Sequence, residues 1–294
     1  MTLPQNQSPA EFEYYVNATS IEEACRALGD GTGTILAGGS DLWVQKDEGV
    51  KTFGPRLINI SRLEELAEIS IGNDQVRLGA RVTMTDILCN NELGKIAPGL
   101  AEAANRFASS QIRNVATIGG NFANASPAAD AVIPLLCLDA EIELARLDGN
   151  AVATRSIPAV DFFTGPGKSV RAADELITAI SFKPRDGKSL ARFFKSGPRP
   201  ALEISIVSLG IVADISDGKL SNVRIALGAV APIPFRARKT EALIEGQKID
   251  DNLIAAATDY LAEEISPIGD VRGSAWYRRH LARTYLQEAL TNVA

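Results

Sequence analysis

Two glycine pairs, far apart in the chain, constrain its fold more than any other feature. The first lies in Leu36-Ala37-Gly38-Gly39-Ser40-Asp41-Leu42 and the second in Thr117-Ile118-Gly119-Gly120-Asn121. The second pair opens a stretch, Thr117 to Asp130, in which small residues alternate with side chains that hydrogen-bond, and which makes poor core material. Glycine has no Cβ, so neighbouring backbone N–H groups can be brought against a phosphate. Each pair is followed by a polar residue, which fits a clamp on a diphosphate. Each pair taken alone fits a tight turn equally well. In the clamp reading, a side chain added at Gly39 or Gly119 would fill phosphate space.

The residues around the first pair read as a small parallel βαβ unit over about residues 12–60. Ser20-Ile21-Glu22-Glu23 is a capping box, opening a helix with Ile21, Cys25 and Leu28 on its apolar face. Thr34-Ile35-Leu36 is a short strand running into the glycine loop, Trp43 to Lys46 continues as helix, and Arg56 to Ile60 returns as strand. The glycines do not follow the Gly-x-Gly-x-x-Gly spacing of a Rossmann fingerprint. Further on, residues 68–80 alternate as strands, Thr83 caps a helix carrying Ile87, Leu88 and Cys89, and a helix spans about 99–108. Residues 141–146 and 151–156 form a hairpin about Asp148-Gly149-Asn150. Residues 174–180 close the first domain as a strand, and 183–188 read as a linker. A second hairpin, 203–215 with 220–228, turns at Asp217-Gly218. The last helix is expected to bury Tyr277, Leu281, Tyr285, Ala289 and Val293.

Composition removes most self-sufficient chemistries. Three widely spaced cysteines, Cys25, Cys89 and Cys137, exclude a disulfide framework and a cysteine-based zinc or iron–sulfur site, and they read as core thiols. The one histidine, His280, cannot build a metal site or a catalytic triad. Thirty basic against thirty-six acidic residues, with no basic cluster, argue against nucleic acid and anionic membrane. The N-terminus lacks a signal-peptide pattern and no apolar run reaches membrane-spanning length, so a cytoplasmic location is expected. Residues 161–169 fail as a Walker loop, because Phe162 stands where glycine is required. Any redox chemistry must come from a cofactor.

Ala37-Gly38-Gly39-Ser40-Asp41-Leu42, followed by Ile112-Arg113-Asn114-Val115-Ala116-Thr117-Ile118-Gly119-Gly120-Asn121, resembles the FAD-binding (medium) subunit of the molybdenum hydroxylases. That is the xanthine dehydrogenase and aerobic carbon monoxide dehydrogenase family, and the resemblance covers nearly the whole chain. It implies an α+β fold: a p-cresol-methylhydroxylase-type FAD-binding domain at 1–182, followed by a smaller domain of antiparallel sheet and helices at 189–294. The first domain would divide into the βαβ subdomain and a larger mixed one at 61–182. It implies noncovalent FAD here, with molybdenum cofactor and [2Fe-2S] clusters on partner subunits. The implied partners are a small iron–sulfur and a large molybdenum subunit in a dimer of heterotrimers. The chain's part would be electron transfer to an acceptor, with no catalytic acid or base of its own.

Leu36, Ala37, Gly38, Gly39, Ser40, Asp41 and Leu42, with Thr117, Ile118, Gly119, Gly120 and Asn121, match the family's two flavin diphosphate loops. Asp130 and Lys195 match flavin contacts, as do Phe107 and Ile177. Asp41 and Asp130 would be repelled by phosphate and fit better as acceptors for ribityl, ribose or adenine donors, or as anchors of their own loops. Lys195 is either a cation at the flavin N1–C2=O edge or a surface lysine beside a hairpin. Arg113 either holds its loop or meets a partner subunit, and Phe193 or Phe194 either covers the ring or packs in the core. Asp270 to Arg279 resembles the family's C-terminal signature and is structural or interfacial. A self-sufficient flavin oxidase and a scaffold that has lost its flavin are the rival readings. Substrate and acceptor are not encoded.

Overall fold

The structure, a computed structural model, describes residues 12–185, 189–199 and 203–291. Residues 1–9, which lack the signal-peptide pattern, residues 186–188 of the expected linker, and Val293 lie outside the described residues.

The N-terminal unit is a three-stranded parallel sheet in which Arg56–Asn59 lies between Tyr14–Asn17 and Gly33–Leu36. The helix Ile21–Leu28 packs on it, with the Ser20 side chain accepting from the Glu23 amide and Ala24, Cys25 and Leu28 buried. The helix Leu42–Asp47 follows the first glycine loop directly. The sheet of the next unit has five antiparallel strands in the order Ile69–Ile71, Val76–Gly79, Leu176–Phe182, Glu141–Asp148, Ala151–Pro158. Short helices gather against it. Met84–Cys89 opens with a complete capping box, the Thr83 hydroxyl accepting from the Asp86 amide while the Asp86 carboxylate accepts from the Thr83 amide. Val132–Cys137 is buried along its whole length.

The C-terminal part is a four-stranded antiparallel sheet in the order Ser189–Ser196, Val207–Ser216, Lys219–Gly228, Phe235–Arg236. The helices Arg238–Ile244, Asp251–Glu264 and Ala275–Thr291 complete it. Strand alternation on Ser189–Ser196 sends Phe193 into the central core with Leu100 and Phe122, and Phe194 into the C-terminal core against Tyr285. Both phenylalanines are therefore core residues.

Two expectations need correction. The fully buried residues of Ala275–Thr291 are Arg278, Ala282, Leu286, Ala289 and Leu290; of the expected stripe Ala289 is buried, Leu281 and Tyr285 pack half-buried against the core, and Tyr277 is exposed. A strict four-residue repeat overshoots the helical turn by about 40° per step, so it cannot stay on one face. Position 278 escapes an apolar search because it is an arginine. Its guanidinium donates to the Ile206 and Ala229 carbonyls and to Asp270 Oδ1, which gives the Asp270-to-Arg279 stretch a structural role. Cys25 and Cys137 are core thiols, but Cys89 is exposed, because its helix buries Met84 and Ile87 instead. Among the described residues no helix is long and apolar enough to cross a membrane.

Candidate functional site

A cavity of about 510 Å³ opens between the parallel-sheet unit, the helices above the five-stranded sheet and the start of the C-terminal part. That volume is within the range of small-molecule and cofactor sites. Its wall includes Ala37, Gly38, Gly39, Ser40, Asp41 and Leu42 from the first motif. Thr117, Gly119, Gly120 and Asn121 from the second also border it, with Phe107, Asp130 and Ile177. Leu36 and Ile118 do not: Leu36 ends a strand and Ile118 is wholly buried in the central core.

The two motifs are built differently. Within the described residues, the amides of Gly38, Gly39, Ser40 and Asp41 donate no hydrogen bond, leaving four consecutive N–H groups at the cavity. Gly39 has φ +66°, a conformation L side chains rarely adopt. Gly38 lies against the second motif, since a Cβ there would fall 1.7 Å from the Val115 carbonyl oxygen.

The second motif is not a loop but the first turn of the helix Ile118–Asn124, capped by Thr117. Its amides are already engaged. Ile118 donates to Val82 O at 2.9 Å, Gly119 to Ala80 O at 2.9 Å, Gly120 to Thr117 Oγ1 at 3.1 Å and Asn121 to Thr117 O at 3.0 Å. A Cβ on Gly119 would stand 2.7 Å from both the Ala80 carbonyl oxygen and Ala80 Cβ. This glycine therefore permits close packing of helix on strand, and the amides left unengaged are those of the first motif, although Gly119 and Gly120 also border the cavity. What the second motif offers a ligand is Asn121 Oδ1, a buried acceptor without a partner. A buried acceptor left unpaired is costly, and a hydroxyl or amino group in the cavity would satisfy it.

Asp130 and Lys195 meet, but not as expected. Lys195 is only 3% exposed, so it is no surface lysine, and it does not border the cavity. Its ammonium lies 2.6 Å from Asp130 Oδ2, 3.2 Å from Arg106 O and 3.3 Å from Glu203 O, which occupy all three of its donors. Asp130 faces the cavity with Lys195 behind it, and Ser205 donates to its other oxygen. Burial pushes the Asp130 carboxyl up, against the opposing pull of Lys195. Arg113 holds its own chain: Nη1 donates to Phe107 O at 2.9 Å, fixing the segment that carries the Phe107 ring.

Several wall residues carry no motif. Gln45, four residues after Asp41 on one helix face, donates to Asp41 Oδ2 and reaches across to Asn124 Oδ1. That spacing was the one available signal for it. Lys51, Arg171 and Glu203 come to the cavity through the tertiary fold alone. The wall carries no cysteine or histidine, and its alcohols have no neighbouring base of the kind that activates a nucleophile. Burial pushes the core thiols up, Cys25 to about 11 and Cys137 to about 12, which makes both inert. The arrangement suits holding a polar, ring-bearing ligand.

Residues 10–184 match the family described as the FAD binding domain in molybdopterin dehydrogenase, and residues 192–293 match the CO dehydrogenase flavoprotein C-terminal domain. The chain is 32% identical to the glyceraldehyde dehydrogenase medium chain of Sulfolobus acidocaldarius, over 97% of this chain and 99% of that protein. It is 29% identical to the xanthine dehydrogenase FAD-binding subunit of Escherichia coli O157:H7, over 96% of each. Its fold superposes on a chain of carbon monoxide dehydrogenase from Hydrogenophaga pseudoflava with a TM-score of 0.90, at 28% identity and covering 98% of this chain and 99% of that one.

Proposed function

The chain belongs to the FAD-binding medium subunits of the molybdenum hydroxylases, and we propose that its cavity holds FAD noncovalently so that the chain relays electrons. In this reading electrons arrive from [2Fe-2S] clusters on a small partner subunit and leave to an external acceptor. Substrate would be oxidised at a molybdenum cofactor on a large partner. The assembly is a dimer of heterotrimers in the cytoplasm, and residues 1–182 and 189–294 are its FAD-binding and C-terminal domains.

One observation carries the reading: Gly38 to Asp41, whose four consecutive amides are unengaged, line the same cavity as Asn121, whose Oδ1 has no partner. The first group fits a diphosphate and the second a hydroxyl or amino donor, and FAD bears both. The bound flavin supplies the redox chemistry. The chain's own residues bind and orient it. Ser40 and the loop amides hold the phosphates, Phe107 and Ile177 give apolar cover, and Asp130, fixed by Lys195 and Ser205, accepts from the ligand.

Co-expression with the neighbouring genes tests the partner assignment. The expected product is a complex of three different chains carrying iron, sulfide, molybdenum and FAD. A stable single chain that oxidises a substrate unaided would replace the subunit reading with that of a self-sufficient flavin enzyme.

A further inference from the structure

Lys51 and Arg171 border the cavity from opposite sides of the sequence, and neither belongs to a motif. The Lys51 amide closes the end of the helix Leu42–Asp47 by donating to Gln45 O at 3.1 Å, which fixes the residue beside the first glycine loop. Its side chain has no hydrogen-bond or ion-pair partner within the described residues. Arg171 uses Nη1 to donate to the carbonyls of Ala172 at 3.0 Å and Glu175 at 2.5 Å, which sets the plane of the guanidinium. Its remaining N–H groups have no partner within the described residues.

Two cations therefore share one wall. Burial holds the Lys51 ammonium below its ordinary range, the nearby charge of Arg171 lowers it further, and Asp41 pulls the other way. Asp41 cannot neutralise the pair alone. Asp41 already accepts from Gln45, and the Glu175 and Asp174 carboxylates act on Arg171 rather than on Lys51. The neighbouring cradle supplies only neutral amides for an anion, and places Asp41 beside it. A diphosphate on Gly38 to Asp41 would meet that repulsion unless cations offset it. A diphosphate also brings acceptors for the Lys51 ammonium and for the N–H groups that Arg171 leaves unused.

On this geometry we infer that Lys51 and Arg171 form a cationic phosphate subsite, which neutralises the FAD diphosphate held by the Gly38-to-Asp41 amides. The inference rests on the FAD reading above and adds the residues that balance the charge.

The test is a fluorescence-quenching titration of FAD into the full apo chain at low and high salt, with NADH titrated separately into the FAD-loaded chain. Wild type is compared with Lys51→Met, Arg171→Met, the double variant and the charge-retaining Lys51→Arg and Arg171→Lys. Each methionine variant is expected to weaken FAD about tenfold and the double variant about a hundredfold, with a flatter salt dependence. The charge-retaining variants should recover most of the loss, which separates charge from folding. Wild-type FAD affinity in the double variant overturns the subsite while leaving the FAD reading intact. Unchanged FAD affinity with NADH binding lost would assign the pair to a second nucleotide and also overturn it. A wild-type chain that takes up no FAD removes both readings.

Discussion

The Lys195 ammonium lies 2.6 Å from the Asp130 carboxylate, joining a strand of the C-terminal sheet to the cavity wall. Arg106 donates to the Lys195 carbonyl at 2.7 Å, which ties the same two parts together a second time. In the proposed reading Lys195 would act on a ligand through Asp130, as a positioning residue. Breaking a buried ion pair from one side leaves a charge without compensation. Lys195→Met is therefore expected to lower stability by about 3–5 kcal/mol in urea unfolding, and to weaken FAD binding. Adding Asp130→Asn should restore part of the stability but not the affinity. A Lys195→Met chain as stable as wild type would remove the pair from this role.

The glycines divide by what their missing Cβ avoids. Gly119→Ala pushes a methyl group against the Ala80 carbonyl and should cost the apo chain about 1–3 kcal/mol. Gly38→Ala should cost more, because the Val115 main chain stands 1.7 Å from the new atom and cannot yield as a side chain could. Thermal unfolding without flavin decides this. If Gly119→Ala left stability unchanged and only FAD were lost, the phosphate-space reading would return.

Glu175 should govern part of the acid response. Arg155 grips its carboxylate with bonds of 2.5 and 2.8 Å, and the Ala172 amide adds a third at 2.7 Å. The Arg155 hydrogen bonds, more than the other influences, hold this carboxyl below the ordinary glutamate value of 4.5. Its contribution is thus present above pH 4.5 and lost as pH falls through the depressed folded-state value. Glu175→Gln should be less stable than wild type at neutral pH, with the gap closing below pH 4.5. A gap independent of pH across that window would contradict the assignment.

Arg278 should behave as a core residue despite its charge. It is 3% exposed and is held by two carbonyls and Asp270. Arg278→Leu is expected to cost about 3–5 kcal/mol, read as an earlier far-ultraviolet circular dichroism transition. Wild-type unfolding in that variant would make Asp270 to Arg279 a surface feature.

What could be read from the sequence was local. The Ser20 and Thr83 caps, the turns at Asp148-Gly149-Asn150 and Asp217-Gly218, and the strand–glycine–helix order at Gly38-Gly39 each depend on neighbours a few residues away. How the second motif packs was not legible, because its Ile118 and Gly119 amides are engaged by Val82 and Ala80, which no local pattern connects to them. The burial of Lys195 was hidden for the same reason: the carboxylate it pairs with lies 65 residues earlier. Lys51 and Arg171 gave no signal, since charged residues are ordinary on a surface and only the fold turns both toward one cavity.

The measurement that tests the central claim most directly is the visible absorption spectrum of the purified chain, before and after acid or heat precipitation. Flavin bands on the native chain that pass into the supernatant as FAD are the predicted result. A colourless chain that takes up no added FAD would contradict it.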